Sequence, residues 1–166
     1  MIVTIWRHGE AGRAISDCQR ELTGRGTDDI GYGCHQFHDI CSARDIPHPQ
    51  LILHSEWVRT TQTADIIATA FTHAGKRRER TLVPGSDVRD VDRTLQSLLD
   101  SDAPEHLLLV SHQPLVSRLI DHYLADPGRV PALSPGGLAS LRLESAARGC
   151  GELLFWALPP DYEYSR

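Results

Sequence analysis

Apolar residues fall along this chain in short runs whose period changes between strand-like and helix-like. Ile2-Val3-Thr4-Ile5-Trp6 is a β-branched run, the mark of a buried strand. A polar loop follows from Gly9 to about Glu21, and Leu22-Thr23-Gly24-Arg25-Gly26 opens a helix. Ile30, Cys34, Phe37 and Cys41 repeat at i, i+4, i+7 and i+11 and share one helical face. Gly31 and Gly33 weaken that helix, and Pro47 and Pro49 end it. Leu51-Ile52-Leu53-His54 reads as a second strand. Ser55 is the expected N-cap of a helix from Glu56 to about His73, with Trp57, Ala64, Ile67 and Phe71 inward. Gly75 to Arg80 reads as a charged loop, Thr81-Leu82-Val83 as a short strand, and Asp90 to Asp100 as an amphipathic helix. Leu107-Leu108-Leu109-Val110 is apolar throughout, as a central parallel strand is. Pro114 suits the first position of a helix carrying Val116, Leu119, Ile120 and Tyr123. Strands at 138–143 and 153–157 complete the pattern. The alternation predicts an α/β fold: a three-layer α/β/α sandwich with a mostly parallel central sheet and an antiparallel strand pair near the C-terminus.

Composition narrows the possibilities. The length of 166 residues suits one domain spanning 1–166, large enough to fold without disulfides or metal. A net charge of -5 argues against nucleic-acid binding. No apolar run approaches the ~20 residues of a membrane span. No basic region precedes the first run, so it does not read as a secretory leader. Cys18, Cys34, Cys41 and Cys150 form no CxxC pair, which predicts free thiols and a cytoplasmic setting. Lys76 is the only lysine among the basic residues. An arginine bias suits phosphate or carboxylate capture and follows equally from genome composition.

Three strand ends carry chemistry. The first ends in Arg7-His8-Gly9, the second leads through Ser55 to Arg59, and the fourth apolar run ends in Ser111-His112. In open α/β sheets, ligands bind at the carboxyl ends of the strands, so two arginines and two histidines should share one crevice. Bidentate donors and helix N-termini are what a phosphate dianion needs. One histidine could attack phosphorus, and the other, if protonated, could bond the equatorial oxygens. Gly9 lets the backbone approach closely. Taken singly, each residue has a plainer role: a histidine as a polar strand cap, Arg59 as a solvated helix residue.

RHGE at Arg7–Glu10, LTxxG at Leu22–Gly26, SxxxRTTQTA at Ser55–Ala64 and LLLVSHQPLV at Leu107–Val116 resemble the histidine phosphatase superfamily, the phosphoglycerate mutase-like fold. The resemblance spans nearly the whole chain in order. The short length, with Arg20-Glu21-Leu22-Thr23 after an abbreviated loop, is most similar to SixA-type phosphohistidine phosphatases. The resemblance implies that His8 is the nucleophile, that Arg7, Arg59 and His112 bind and stabilise the phosphoryl group, and that Arg20 lines the pocket. It implies a covalent phosphohistidine intermediate, no cofactor and no metal, and a partner protein bearing phosphohistidine on a phosphotransfer domain. Trp6 and His54 are bulkier than the residues usual at those positions.

Ester hydrolysis needs a general acid for the departing alkoxide. Larger members of the superfamily carry a glutamate after the third strand, but Pro84 to Asp90 contains none. Asp87 and Glu10 are the available candidates, and the alternative reading of Asp87 is a helix cap. A phosphorus–nitrogen bond breaks readily once the leaving imidazole is protonated, which favours phosphohistidine as substrate. The alternatives are a small-molecule phosphomonoesterase or mutase, and a non-catalytic phosphate-binding module. Cys34, His38 and Cys41 share a helical face and could ligate metal, although that face also holds Ile30 and Phe37 and reads better as core. The run Lys76 to Arg80 could meet an acidic partner.

Overall fold

In a computed structural model that describes residues 1–101 and 103–165, seven strands form one sheet. β1 is Ile2–Arg7, β2 Leu51–His54, β3 Gly75–Arg78, β4 His106–Ser111, β5 Leu138–Leu143, β6 Gly151–Ala157 and β7 Tyr164–Ser165. Their order is β3-β2-β4-β1-β5-β6-β7. The first four in that order are parallel, while β5, β6 and β7 join antiparallel. α1 (Gly24–Ala43) and α2 (Val58–Ala70) cover one face; α3 (Val88–Leu99) and α4 (Leu115–Leu124) cover the other.

The continuous apolar runs follow from this layering, because a strand buried on both faces needs no polar side. In β1, Val3 and Ile5 pack toward α3 and α4, and Ile2 and Trp6 toward α1 and α2. β4 divides likewise, with Leu107 and Leu109 on one face and Leu108 and Val110 on the other. Cys34 and Cys41 belong to the α1–α2 core, where burial pushes both thiols up to about 12. His38 stands outside, its ring 4.5 Å from that of His48.

Several boundaries differ from the sequence reading. The charged run at Gly75–Arg78 is a strand, not a loop, and Thr81-Leu82-Val83 is not a strand but part of a 3-10 turn at Arg80–Leu82. β3 lies at the sheet edge with all four residues exposed, and a polar edge is how sheets discourage further pairing. α2 starts two residues later and ends three earlier than expected, with Trp57 rather than Ser55 at its N-cap. α3 begins at Val88, and Asp87 caps it by accepting from Arg89 N at 2.8 Å. Pro114 precedes α4 as its N-cap.

α1 runs unbroken through both of its doubtful glycines. Its start is fixed by Thr23, whose Oγ1 accepts from Gly26 N at 2.9 Å. A Cβ on Gly26 would meet the Glu10 carbonyl oxygen at 2.2 Å, so this helix end presses directly on the loop after β1. A Cβ on Gly31 would meet nothing within 4 Å. Gly26→Ala should therefore destabilise the fold by about 1–3 kcal/mol, because backbone cannot move aside. Gly31→Ala should stabilise it by about 0.5–1 kcal/mol through helix propensity. Urea unfolding of the two variants checks the opposite signs.

Candidate active site

β1 and β4 run side by side with Arg7 opposite Ser111, which puts His8 and His112 on adjacent strand ends. Their ring centroids are 5.1 Å apart. The His8 backbone is tied on both sides. Its N–H donates to Ser111 O at 3.1 Å, and its carbonyl accepts from Gly136 N at 3.0 Å. Gly136, at φ +86, lies in a tight turn closed by Gly137 N to Ser134 O, and Gly137 O accepts from Arg7 N at 2.9 Å.

The His8 imidazole is held by two bonds that define its tautomer. Arg59 Nε approaches His8 Nε2 at 3.0 Å, and a guanidinium can only donate. Nε2 therefore carries the lone pair. Nδ1 carries the proton and donates to Gly9 O at 2.7 Å. Burial, reinforced by Arg59, Arg7 and Arg20, pushes His8 down to about 4, so the ring is neutral near pH 7. Close packing also leaves no room for a side chain at Gly9. A Cβ there would meet Gly26 O at 2.9 Å and Ile30 Cγ1 at 3.0 Å, both on α1.

Arg59 enters from the first turn of α2 and is 4% exposed. Besides His8 it donates through Nη1 to Asp17 O at 2.6 Å and through Nη2 to Asp17 Oδ2 at 3.3 Å. Its guanidinium lies over Trp57, 4.6 Å from the ring centroid. Arg7 donates from Nη1 to Leu133 O at 2.8 Å, while its buried Nε has no partner among the described residues. His112 Nε2 lies 2.6 Å from Ser55 Oγ, and its buried Nδ1 likewise has no partner. Burial, then the neighbouring His8 and Arg59, pushes His112 down to about 3. Two buried nitrogens without partners, Arg7 Nε and His112 Nδ1, thus lie beside Arg59 and His8, an arrangement that suits an acceptor-rich anion.

The structure thus brings Arg7, His8, Arg59 and His112 together. Arg20 lies close enough to lower the pKa of His8, but its bonds run to Gly12 O at 2.7 Å, Ala11 O at 3.1 Å and Asp17 Oδ1 at 3.0 Å. It braces the loop that carries Asp17. Glu10 accepts from Thr23 Oγ1 at 2.9 Å, and Asp87 is exposed at its helix cap. Asp17 and Trp57 were not singled out in the sequence as site residues. No motif marks Asp17, whereas Trp57 stands two residues before Arg59, where its apolar ring fits a core position equally well. The rest of RTTQTA also has structural work: Gln62 Oε1 accepts from Leu22 N at 2.8 Å, and Thr63 Oγ1 accepts from Gly9 N at 3.2 Å. A hollow of about 790 Å³ opens elsewhere, at the amino ends of β1 and β4 between Met1, Pro47 and Glu105, away from this cluster.

The two buried histidines make stability depend on pH. Their folded values near 4 and 3 lie below the unfolded value of 6.5, so below that pH the unfolded chain binds protons that the folded one does not. Stability is expected to fall as pH drops from 6.5 toward 4, by about 1.4 kcal/mol per unit for each histidine that responds fully. His106, buried and also near 4, adds to the same trend. Urea unfolding at about pH 7, 5.5 and 4.5 would show this slope, and a flat profile would contradict the burial argument.

No protein-family model matches the chain, and no curated protein matches it in sequence. Solved structures do. The protein histidine phosphatase SixA complexed with tungstate is 27% identical with a TM-score of 0.77, over 96% of this chain and 97% of that one. The putative phosphohistidine phosphatase SixA from Agrobacterium tumefaciens is 21% identical with a TM-score of 0.72, over 95% and 97%. A phosphoglycerate mutase from Plasmodium falciparum is 20% identical with a TM-score of 0.67, over 92% and 87%. The chain therefore has the phosphoglycerate mutase-like fold over nearly its whole length, and its likenesses support a phosphatase of the histidine phosphatase superfamily, similar to SixA.

Proposed function

We propose that this protein is a metal-independent phosphohistidine phosphatase that acts on a phosphotransfer protein in the cytoplasm. The observation that carries the reading is the state of His8. Its imidazole is neutral, its tautomer is fixed by Gly9 O, and its Nε2 lone pair faces the guanidinium of Arg59. An imidazole nitrogen held this way is a nucleophile set beside a cation that can receive the phosphoryl charge.

In this scheme the incoming phosphoryl group takes the place between Arg59 and His8. His8 Nε2 attacks phosphorus in line, forming a phosphorus–nitrogen bond as the bond to the substrate imidazole breaks. The departing nitrogen takes that electron pair, and the substrate ring, protonated on its other nitrogen, leaves neutral. Arg7 Nε, Arg59 and His112 Nδ1 donate to the equatorial oxygens. Water then attacks the phosphohistidine at His8, releasing inorganic phosphate and restoring Nε2. Asp87 and Glu10, the two candidate acids, are bonded to Arg89 N and Thr23 Oγ1. That supports a leaving group needing little acid assistance. The likeness to a phosphoglycerate mutase favours small phosphate esters as the second reading.

A phosphohistidine-bearing phosphotransfer domain should be dephosphorylated with kcat/KM at least about ten-fold above that for p-nitrophenyl phosphate or phosphoglycerate, each ten-fold being 1.36 kcal/mol of barrier. The reverse order would favour the ester reading. His8→Ala should lower the rate on the order of 10³-fold or more. Full activity should persist in a chelator, and strict dependence on added magnesium or zinc would sink the scheme.

A further inference from the structure

Arg59 and His112 were expected from the sequence, but the hydroxyl groups behind His112 were not. Ser55 Oγ lies 2.6 Å from His112 Nε2 and 2.8 Å from Thr60 Oγ1, and all three residues are buried. Thr60 Oγ1 also lies 2.8 Å from Trp57 O and 2.9 Å from Ser55 O, so its single proton has three acceptors within reach. The direction of these bonds decides what His112 can do.

We propose that Ser55 and Thr60 form a positioning pair that fixes the proton of His112 on Nδ1, so that a neutral imidazole donates to the bound phosphoryl group. The reasoning is one of donors and acceptors. Ser55 occupies Nε2, and Nδ1 is the nitrogen left without a partner among the described residues. A phosphoryl dianion offers acceptors only, so Nδ1 must carry a proton. A neutral ring has one N–H, so Nε2 must accept. Ser55 Oγ must then donate to Nε2; it accepts from Trp57 N at 3.4 Å, and its 2.8 Å contact with Thr60 Oγ1 is a hydrogen bond only with the Thr60 hydroxyl as donor, in place of the carbonyls of Ser55 and Trp57. The order is Thr60 to Ser55 to His112 to phosphate.

This arrangement removes a conflict. Burial and the groups that face His112, namely His8, Arg59 and Arg7 against Asp17 alone, keep the ring neutral far below pH 7. A histidine that had to be charged to donate would be idle at neutral pH. One whose tautomer is imposed from behind donates without a net charge.

The inference rests on the phosphatase reading for its kinetic arm only. Ser55→Ala removes the donor and frees the tautomer, so that Nε2 can keep the proton and the neutral ring presents Nδ1–H to the phosphate only part of the time, while the imidazolium always does. The expected result is a fall in kcat of about 10- to 100-fold with KM within about three-fold. Because the bound dianion favours an imidazolium beside it, the variant should also gain an alkaline limb, its rate falling as pH rises, which the parent protein does not show. Thr60→Val should lose part of the rate, and Thr60→Ser, which keeps the hydroxyl, should recover most of it. This second pair decides the matter if Ser55→Ala does not fold.

Nitrogen-15 NMR of the parent protein saturated with inorganic phosphate reads the tautomer directly, whatever the true substrate. Nδ1–H is expected, shifting toward Nε2–H in Ser55→Ala. Nε2–H or a full imidazolium in the phosphate-bound parent protein would overturn the proposal. So would a Ser55→Ala enzyme with unchanged kcat and pH profile. Absence of activity on every phosphohistidine and ester substrate, with the expected tautomer in place, would instead count against the phosphatase reading.

Discussion

The bond between Arg59 Nε and His8 Nε2 is the contact on which the site depends. It joins the tip of β1 to the first turn of α2, and it fixes which nitrogen of His8 is free. Arg59 is itself held by Asp17 and stacked on Trp57, so a loop between β1 and α1 and the approach to α2 meet at one guanidinium. A buried cation without such partners would be costly, and these contacts let it stand among other positive groups. Burial and charge repulsion then keep both histidines neutral, and an incoming phosphate dianion would reverse much of that repulsion.

The fold supplies the rigidity. Both backbone polar groups of His8 are bonded, one to β4 and the other to the glycine turn before β5. The loop after β1 is clamped from outside by Gly26 of α1 and braced from within by Arg20. Thr63 of α2 reaches back to Gly9 N and also donates to Arg59 O, so the two site segments share a hydroxyl. Groups held at element ends in this way need little reorganisation when a ligand arrives, which is the condition for electrostatic stabilisation to act at full strength.

The same economy explains the polar residues inside the sheet. Thr4, on the α1–α2 face of β1, bonds His106 Nε2 at 2.8 Å and Ser140 Oγ at 2.6 Å, and His106 Nδ1 lies 2.6 Å from Pro47 O. A buried hydroxyl and imidazole persist here because each finds a partner. Trp6, bulky beside the RHG, is accommodated in the core edge-on to Phe37 at 5.5 Å.

Local pattern determined the strands that bury both faces, the long first helix with its inward Ile30, Cys34, Phe37 and Cys41, and the four residues at the strand ends. These are features of period and residue type, and the chain alone carries them. The charged edge strand at Gly75–Arg78 escaped that logic, because an edge strand exposed on both sides has no apolar signature. Ser55 looked like a cap because serine before a helix usually is one, yet His112, 57 positions away, takes its hydroxyl. Asp17, Trp57 and Thr60 acquire meaning only through partners distant in sequence or through the turn that brings them together. Which nitrogen of each histidine faces the site was likewise decided by tertiary structure: Gly9 O beside His8 takes its Nδ1, but only Arg59 and Ser55, brought from other segments, meet Nε2 of His8 and of His112.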